Sequence, residues 1–291
     1  MTHKQKAISR KFLIYQLFSN LWFIGAVWLY FYRLFITDQQ VGFLDGMAFG
    51  IGLVAQIPTG ALADRFGRDK ITRLGLILEG VGLLTQAVGS SFGQFFIGQA
   101  IMMIGVSFAS GADEALFFDQ LRFKKESVHW RRLLTRGSQI ALLGSLVATI
   151  TGGVLQHSFP RLPWFLTGMG FVISAMIIWP IKDTRPKIAR KQFKAEVKAY
   201  ITDIKLGFSQ FTAPKLWLYI PIIIVVQGLF YTFGYGLLKI ILLSRFGFTP
   251  FAGSVVIASC GLISVVVLGW MHKHARGLSE KHVISLISFG A

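Results

Sequence analysis

Residues 80–112 read GVGLLTQAVGSSFGQFFIGQAIMMIGVSFASGA, thirty-three positions without one Asp, Glu, Lys or Arg. A helix needs about 20 apolar residues to cross the hydrocarbon layer of a bilayer. The run is too long for one crossing, and it breaks at Gly89-Ser90-Ser91-Phe92-Gly93, a turn-rich stretch. It therefore reads as two membrane helices joined by a short turn. It far exceeds the ~10 residues of a barrel strand and does not alternate, which excludes a transmembrane barrel.

Working outward, further uncharged runs occupy 12–32, 46–63, 137–160, 162–181, 216–238 and 246–271. They predict eight spans, at about 12–35, 41–63, 72–89, 94–116, 137–157, 163–181, 216–238 and 249–271. A ninth apolar run starts at Val283 and continues to Ala291, the start of a further helix. The first span is too long for a signal-peptide core and lacks a small-residue cleavage site. The expected class is an all-α integral membrane protein. Its organisation is a six-helix bundle over 1–181, a cytoplasmic amphipathic linker over 182–214 and a partial second bundle over 215–291.

Composition agrees. Of the 291 residues, 53% are hydrophobic and only 15% charged. A soluble domain carries about 25% charged residues. The net charge of +17 does not point to nucleic acid, because it is sorted by loop. With the N-terminus inside, twenty-six Lys and Arg fall on cytoplasmic segments and four, Arg33, Arg161, Lys239 and Arg245, on outer ones. That asymmetry is the positive-inside signal. It predicts a multi-pass plasma-membrane protein with a cytoplasmic N-terminus and attraction to anionic lipid of the inner leaflet. In the linker, Phe193, Val197, Ile201, Ile204, Phe208 and Phe211 recur at steps of 3 or 4 among lysines, the pattern of a basic helix lying on the membrane surface.

After the second span the sequence reads Gly60-Ala-Leu62-Ala-Asp64-Arg65-Phe-Gly67-Arg68-Asp69-Lys70. Gly60 offers close helix approach, Gly67 a tight turn, and Arg68 a guanidinium for a carboxylate at the membrane edge. The stretch resembles the signature of the major facilitator superfamily, which that family carries between its second and third helices. The resemblance covers the whole chain, through the six-span half and the long central loop. It implies a secondary active transporter that works by alternating access, with Gly60, Asp64, Arg65, Gly67 and Arg68 in a conformational latch. In the family the signature Arg also meets an acid at the inner end of the fourth helix, and Asp113 stands there.

Two other family patterns are altered. Gln99 occupies the place where many members have an Arg. In Gly144-Ser-Leu-Val-Ala148-Thr149-Ile-Thr-Gly152-Gly153 the outer glycines of the antiporter pattern fit, while Ala148 and Thr149 replace its Gly-Pro centre. An uncharged amide at Gln99 cannot shift a carboxylate pKa as an Arg does, while the glycine pattern leans towards efflux; the expected function is proton-linked export of a drug-like or metabolite solute. Sugar or metabolite uptake, or a non-transporting membrane fragment or scaffold, are the alternatives.

The family builds its cavity from the first, fourth, seventh and tenth helices. On those present here, Asn20, Trp22, Gln99, Ser107, Gln227, Tyr231 and Tyr235 are candidate solute contacts. Their amides and phenols among aromatic neighbours suit an amphipathic solute. Glu79, the acid deepest in a span, is either a proton carrier or a carboxyl bonded to a neighbour such as Gln56. Glu114, beside Asp113, is a second candidate for coupling. Asp45 and Arg33 are expected to pair near the outer edge. No cofactor, metal or enzyme chemistry is indicated: no G-x-S-x-G, C-x-x-C or G-x-x-x-x-G-K occurs. The family has twelve helices, so the expectation is a fragment of a longer protein or a chain whose second half another chain completes.

Overall fold

The structure, a computed structural model, describes residues 3–56, 59–121, 128–183 and 237–274, with a few isolated residues between 202 and 226. Most of the linker, and Gln227, Tyr231 and Tyr235, lie outside the described residues. Among those described, all regular structure is helical: α1 His3–Phe18, α2 Trp28–Tyr32, α3 Asp38–Gln56, α4 Thr59–Phe66, α5 Arg68–Val88, α6 Phe92–Ala109, α7 Ala112–Leu121, α8 Val128–Ser158, α9 Leu162–Ile178, α10 Leu237–Arg245 and α11 Pro250–His274. Three helical stretches are long and apolar enough to cross a membrane: Arg68–Val88, Phe92–Leu121 and Arg132–Ser158. Leu162–Ile178 and Pro250–Ile263 are shorter apolar helices. Leu53, Val88, Val147 and Phe246 are among the large apolar side chains exposed on the outside, where a lipid-facing surface requires them.

The turn in the opening stretch lies between α5 and α6, as predicted, and the two helices form an antiparallel hairpin. Their interface is made of glycines two turns apart. A methyl group on Gly82 would sit 2.5 Å from the Gly98 carbonyl oxygen, and one on Gly98 would sit 2.8 Å from that of Gly82. Gly75 and Gly105 repeat the relation, at 2.8 and 2.6 Å. The two backbones therefore touch directly, the close approach that small residues permit between membrane helices. Gly80 on another side of α5 meets Gly168 of α9 in the same way.

Two predicted spans are interrupted. The first is helical to Phe18, irregular over 19–27, and helical again in α2. At the break Ser19 Oγ donates to the Tyr15 carbonyl oxygen (2.8 Å) and Asn20 Nδ2 to that of Gln16 (2.9 Å). Short polar side chains thus take up backbone acceptors at the helix end. An apolar-run count does not register such a break. The fourth span breaks at Gly111, whose φ of +76° is open to glycine at little cost, and α7 resumes beyond it.

The loops sort to two edges. At one, which we call the signature edge, Gln5 Nε2 donates to the Leu121 carbonyl oxygen (3.0 Å), Gln120 Nε2 to that of Lys182 (2.6 Å), and Arg68 reaches Asp119 and Asp183. At the opposite edge Arg161 Nη1 donates to the Ala87 carbonyl oxygen (3.0 Å) and Arg33 Nη1 to Ser244 Oγ (2.8 Å).

Candidate functional site

Between these edges lies a cavity of about 460 Å³. One wall is the irregular stretch after α1, with Asn20, Trp22, Ile24 and Gly25. Polar backbone at membrane depth is tolerated where it lines a cavity. Close packing holds this stretch in place: Gly152 of α8 meets the Phe23 carbonyl, and a methyl group on Gly144 would lie 2.9 Å from Leu17 Cδ1. The glycines of the altered antiporter pattern thus seat the cavity wall. Thr149 of the same pattern lines the cavity, as do Gln99, Asp45 and Lys239. The aromatic surface comes from Trp22, Trp28, Tyr32 and Trp164.

Of the candidate contacts, Asn20, Trp22 and Gln99 converge on this cavity. Ser107 does not. It is buried, and its Oγ donates to the carbonyl oxygens of Gly52 (3.0 Å) and Met103 (2.9 Å), which stitches α6 to α3. Sequence reasoning missed Asp45, Lys239 and Trp164. Asp45 carried a usable signal, a charge four residues inside a predicted span. It does not pair with Arg33. Arg33 instead forks onto Asp38, Nε to Oδ1 and Nη2 to Oδ2, each at 2.7 Å. That guanidinium holds the Asp38 carboxyl below the usual carboxylate range.

The signature is helical on both sides of Gly67, whose φ is +102°. Only glycine adopts that angle without strain, so the turn that links α4 to α5 is fixed there. The expected Arg68–Asp113 pair is not formed. Arg68 Nη1 bonds Asp119 Oδ2 at 3.0 Å, and the Arg68 backbone N–H donates to Asp183 Oδ2 at 2.9 Å. The Gly111 break shifts α7 relative to a continuous helix and brings Asp119 to Arg68. Asp113 accepts the Tyr15 hydroxyl at 2.7 Å. Arg65 lies against the Phe66 ring, 4.9 Å from its centroid, and Arg73 pairs with Asp69 and stacks on Trp179. Among the described residues, a methyl group on Gly60 would meet nothing within 4 Å, so no described helix approaches Gly60 closely.

Glu79 is buried on α5 and faces α6, where a methyl group on Gly105 would lie 2.9 Å from its Cγ. It is not bonded to Gln56. Among the described residues its carboxyl makes no hydrogen bond or ion pair. Glu114, by contrast, is exposed.

The family model described as Major Facilitator Superfamily matches residues 11–291. The chain belongs to this superfamily. Multidrug resistance protein 2 of Bacillus subtilis is 24% identical over 262 residues, covering 86% of this chain and 62% of that protein. Multidrug resistance protein MdtL of Klebsiella pneumoniae is 25% identical over 146 residues, covering 50% and 35%. A crystal structure of a mutant of the peptide transporter POT in complex with sulfate superimposes with a TM-score of 0.63 at 14% identity, covering 95% of this chain and 70% of that one. The chain is thus a multi-pass membrane protein of a transporter family, with the fold of that structure. It spans about three fifths of the length of the first of these relatives.

Proposed function

We propose that this major facilitator chain belongs to a secondary active transporter that exports an amphipathic organic solute in exchange for protons. The observation that carries this reading is the 460 Å³ cavity, bordered by helices from both sides of the linker. Lys239 and Ile257 belong to α10 and α11; the other lining residues precede residue 182. A site shared by two sets of helices is open to one edge or the other as the sets rock, which is alternating access. In this reading 1–181 and 215–291 are the two moving sets, and 182–214 lies along the anionic cytoplasmic leaflet. The N-terminus and the signature edge face the cytoplasm. Asn20, Trp22 and Gln99, with Asp45 and Lys239, contact the solute, and Asp64, Arg65, Gly67 and Arg68 brace the signature edge. The aromatic walls suit a flat apolar body, and the amides and charges orient its polar group. The multidrug relatives support export.

The test is ethidium movement in proteoliposomes holding the chain, with an imposed pH gradient. Extrusion against the ethidium gradient, collapsing when the pH gradient is dissipated, is expected. Asp45→Asn and Gln99→Leu should each slow it at least tenfold, the loss that about 1.4 kcal/mol of cavity contact represents. Movement that ignores the pH gradient overturns the proton exchange, and accumulation in place of extrusion assigns uptake.

A further inference from the structure

We propose that the groove where the α8–α9 turn meets the end of α5 binds an anionic phospholipid, with Arg161 on its phosphate and an acyl chain along the apolar wall. The site is independent of what the chain transports and in which direction. It is a cavity of about 530 Å³ at the edge opposite the signature, and it shares no lining residue with the solute cavity. Val88, Phe159 and Phe165 line it and are exposed. Its polar side chains are those of Ser158 and Arg161. In a multi-pass membrane protein such an outward-facing apolar wall meets lipid.

Arg161 is the fixed point of the groove. Its Nη1 donates to the Ala87 carbonyl oxygen at 3.0 Å, one of the acceptors left open where α5 ends. Its guanidinium lies over the Phe35 ring, 5.4 Å from the centroid. Two contacts from different elements thus hold a long side chain in one place, and neither neutralises its charge. Among the described residues its other N–H groups have no partner, and no carboxylate pairs with it. The other cations of this edge differ. Arg33 forks onto Asp38, whose carboxyl Arg245 also holds down, and Lys239 lines the solute cavity, as Asp45 does.

These residues select the ligand. A planar guanidinium fork matches the oxygens of a phosphate, and a charge-assisted bond of that kind is among the stronger hydrogen bonds. The α9 helix begins at Leu162, beside Arg161, so the positive end of its dipole adds to the same field. The adjoining apolar wall favours an anion that carries a hydrocarbon tail over free phosphate. A zwitterionic headgroup brings its own cation, and no acid lines this groove to receive it. A phospholipid whose phosphate is its single charge, such as phosphatidylglycerol, satisfies both the cation and the apolar wall.

The test reads lipid contact without transport. The full chain is reconstituted in phosphatidylcholine vesicles holding a trace of phosphatidylglycerol or of phosphatidylcholine, each with a photoactivatable diazirine in one acyl chain, and the labelled residues are mapped by mass spectrometry. Phosphatidylglycerol should label Val88, Phe159 and Phe165 about fivefold more than phosphatidylcholine, the ratio that about 1 kcal/mol at a membrane-surface cation represents. Arg161→Gln should bring the two probes level there, and Arg161→Lys should keep most of the preference. Ile97, exposed on the uncharged helix α6, should take both probes equally in every variant, which reports correct assembly. If Arg161→Gln does not assemble, Ser158→Asp keeps the Arg161 bond to Ala87, places a competing carboxylate in the groove and should abolish the preference in its turn. Equal labelling of the groove by the two probes in the native chain overturns the site, as does a preference that survives Arg161→Gln or, in its place, Ser158→Asp.

Discussion

Where α5 meets α6, the helices touch backbone to backbone through Gly75, Gly82, Gly98 and Gly105, and the stems of Gln86 and Glu79 fill the space beside Gly98 and Gly105. Where the start of the chain meets α10 and α11 at the opposite edge, the bonds are few and polar. Arg33 reaches Ser244, and the Tyr30 hydroxyl donates to the Phe248 carbonyl oxygen at 3.0 Å. The difference has a physical meaning. Glycine packing forfeits up to about half of its dispersion energy when helices separate by an ångström, because dispersion falls steeply with distance. An exposed guanidinium or phenol exchanges its partner for water at a cost near zero. The first contact is suited to staying closed, and the second to parting.

The strongest way to break this contrast is Gly82→Leu. The new side chain has only backbone to meet, and overpacking of this kind should cost about 3 kcal/mol. Thermal unfolding in detergent should show a large fall in Tm, while Gly93→Leu, at a position open to solvent or lipid, should leave it unchanged. Equal behaviour of the two variants would mean that the hairpin is not packed as described.

A smaller effect is expected at the signature edge. Arg68→Ala should cost about 1 kcal/mol, Asp119→Asn the same, and the double variant little more, because both remove one pair. Full additivity would show that Arg68 and Asp119 do not interact. Asp113→Asn should leave this cycle unaltered.

The smallest effect on stability belongs to Arg33→Ala, a fraction of a kcal/mol. Its readout is distance. Spin labels at exposed Leu34 and Phe246 should show a longer separation or a broader distribution once the clasp is gone. The pH dependence follows from the Asp38 carboxyl, which Arg33 holds below its ordinary range. A depressed carboxyl contributes above the ordinary value of about 4 and loses that contribution as pH falls through the lower, folded value. The label distance should therefore stay constant from pH 8 to pH 5 and lengthen only in stronger acid.

Much of this molecule was legible in the order of its residues. The uncharged runs mark helices because an apolar segment in lipid must satisfy its own backbone. The Gly89–Gly93 turn, the Gly67 turn and the gathering of the 65–73 and 119–121 charges at one edge follow from local chemistry that neighbours in sequence supply. Asn20, Trp22 and Gln99 could be placed at a cavity because family resemblance names the helices that border it. The pairings could not be read this way. Arg68 takes Asp119 in place of Asp113 because Gly111 interrupts the helix, and a helical repeat cannot be carried across a residue at φ +76°. Ser107 turns to Gly52 and away from the cavity because α3 lies against that face of α6. Asp45, on the same α3, enters the cavity because of how that helix is turned against its neighbours. The sequence alone fixes which residues are immersed and which edge their charges reach. The rotation of each helix against its neighbours chooses their partners, and that rotation is set by contacts between residues far apart in the chain.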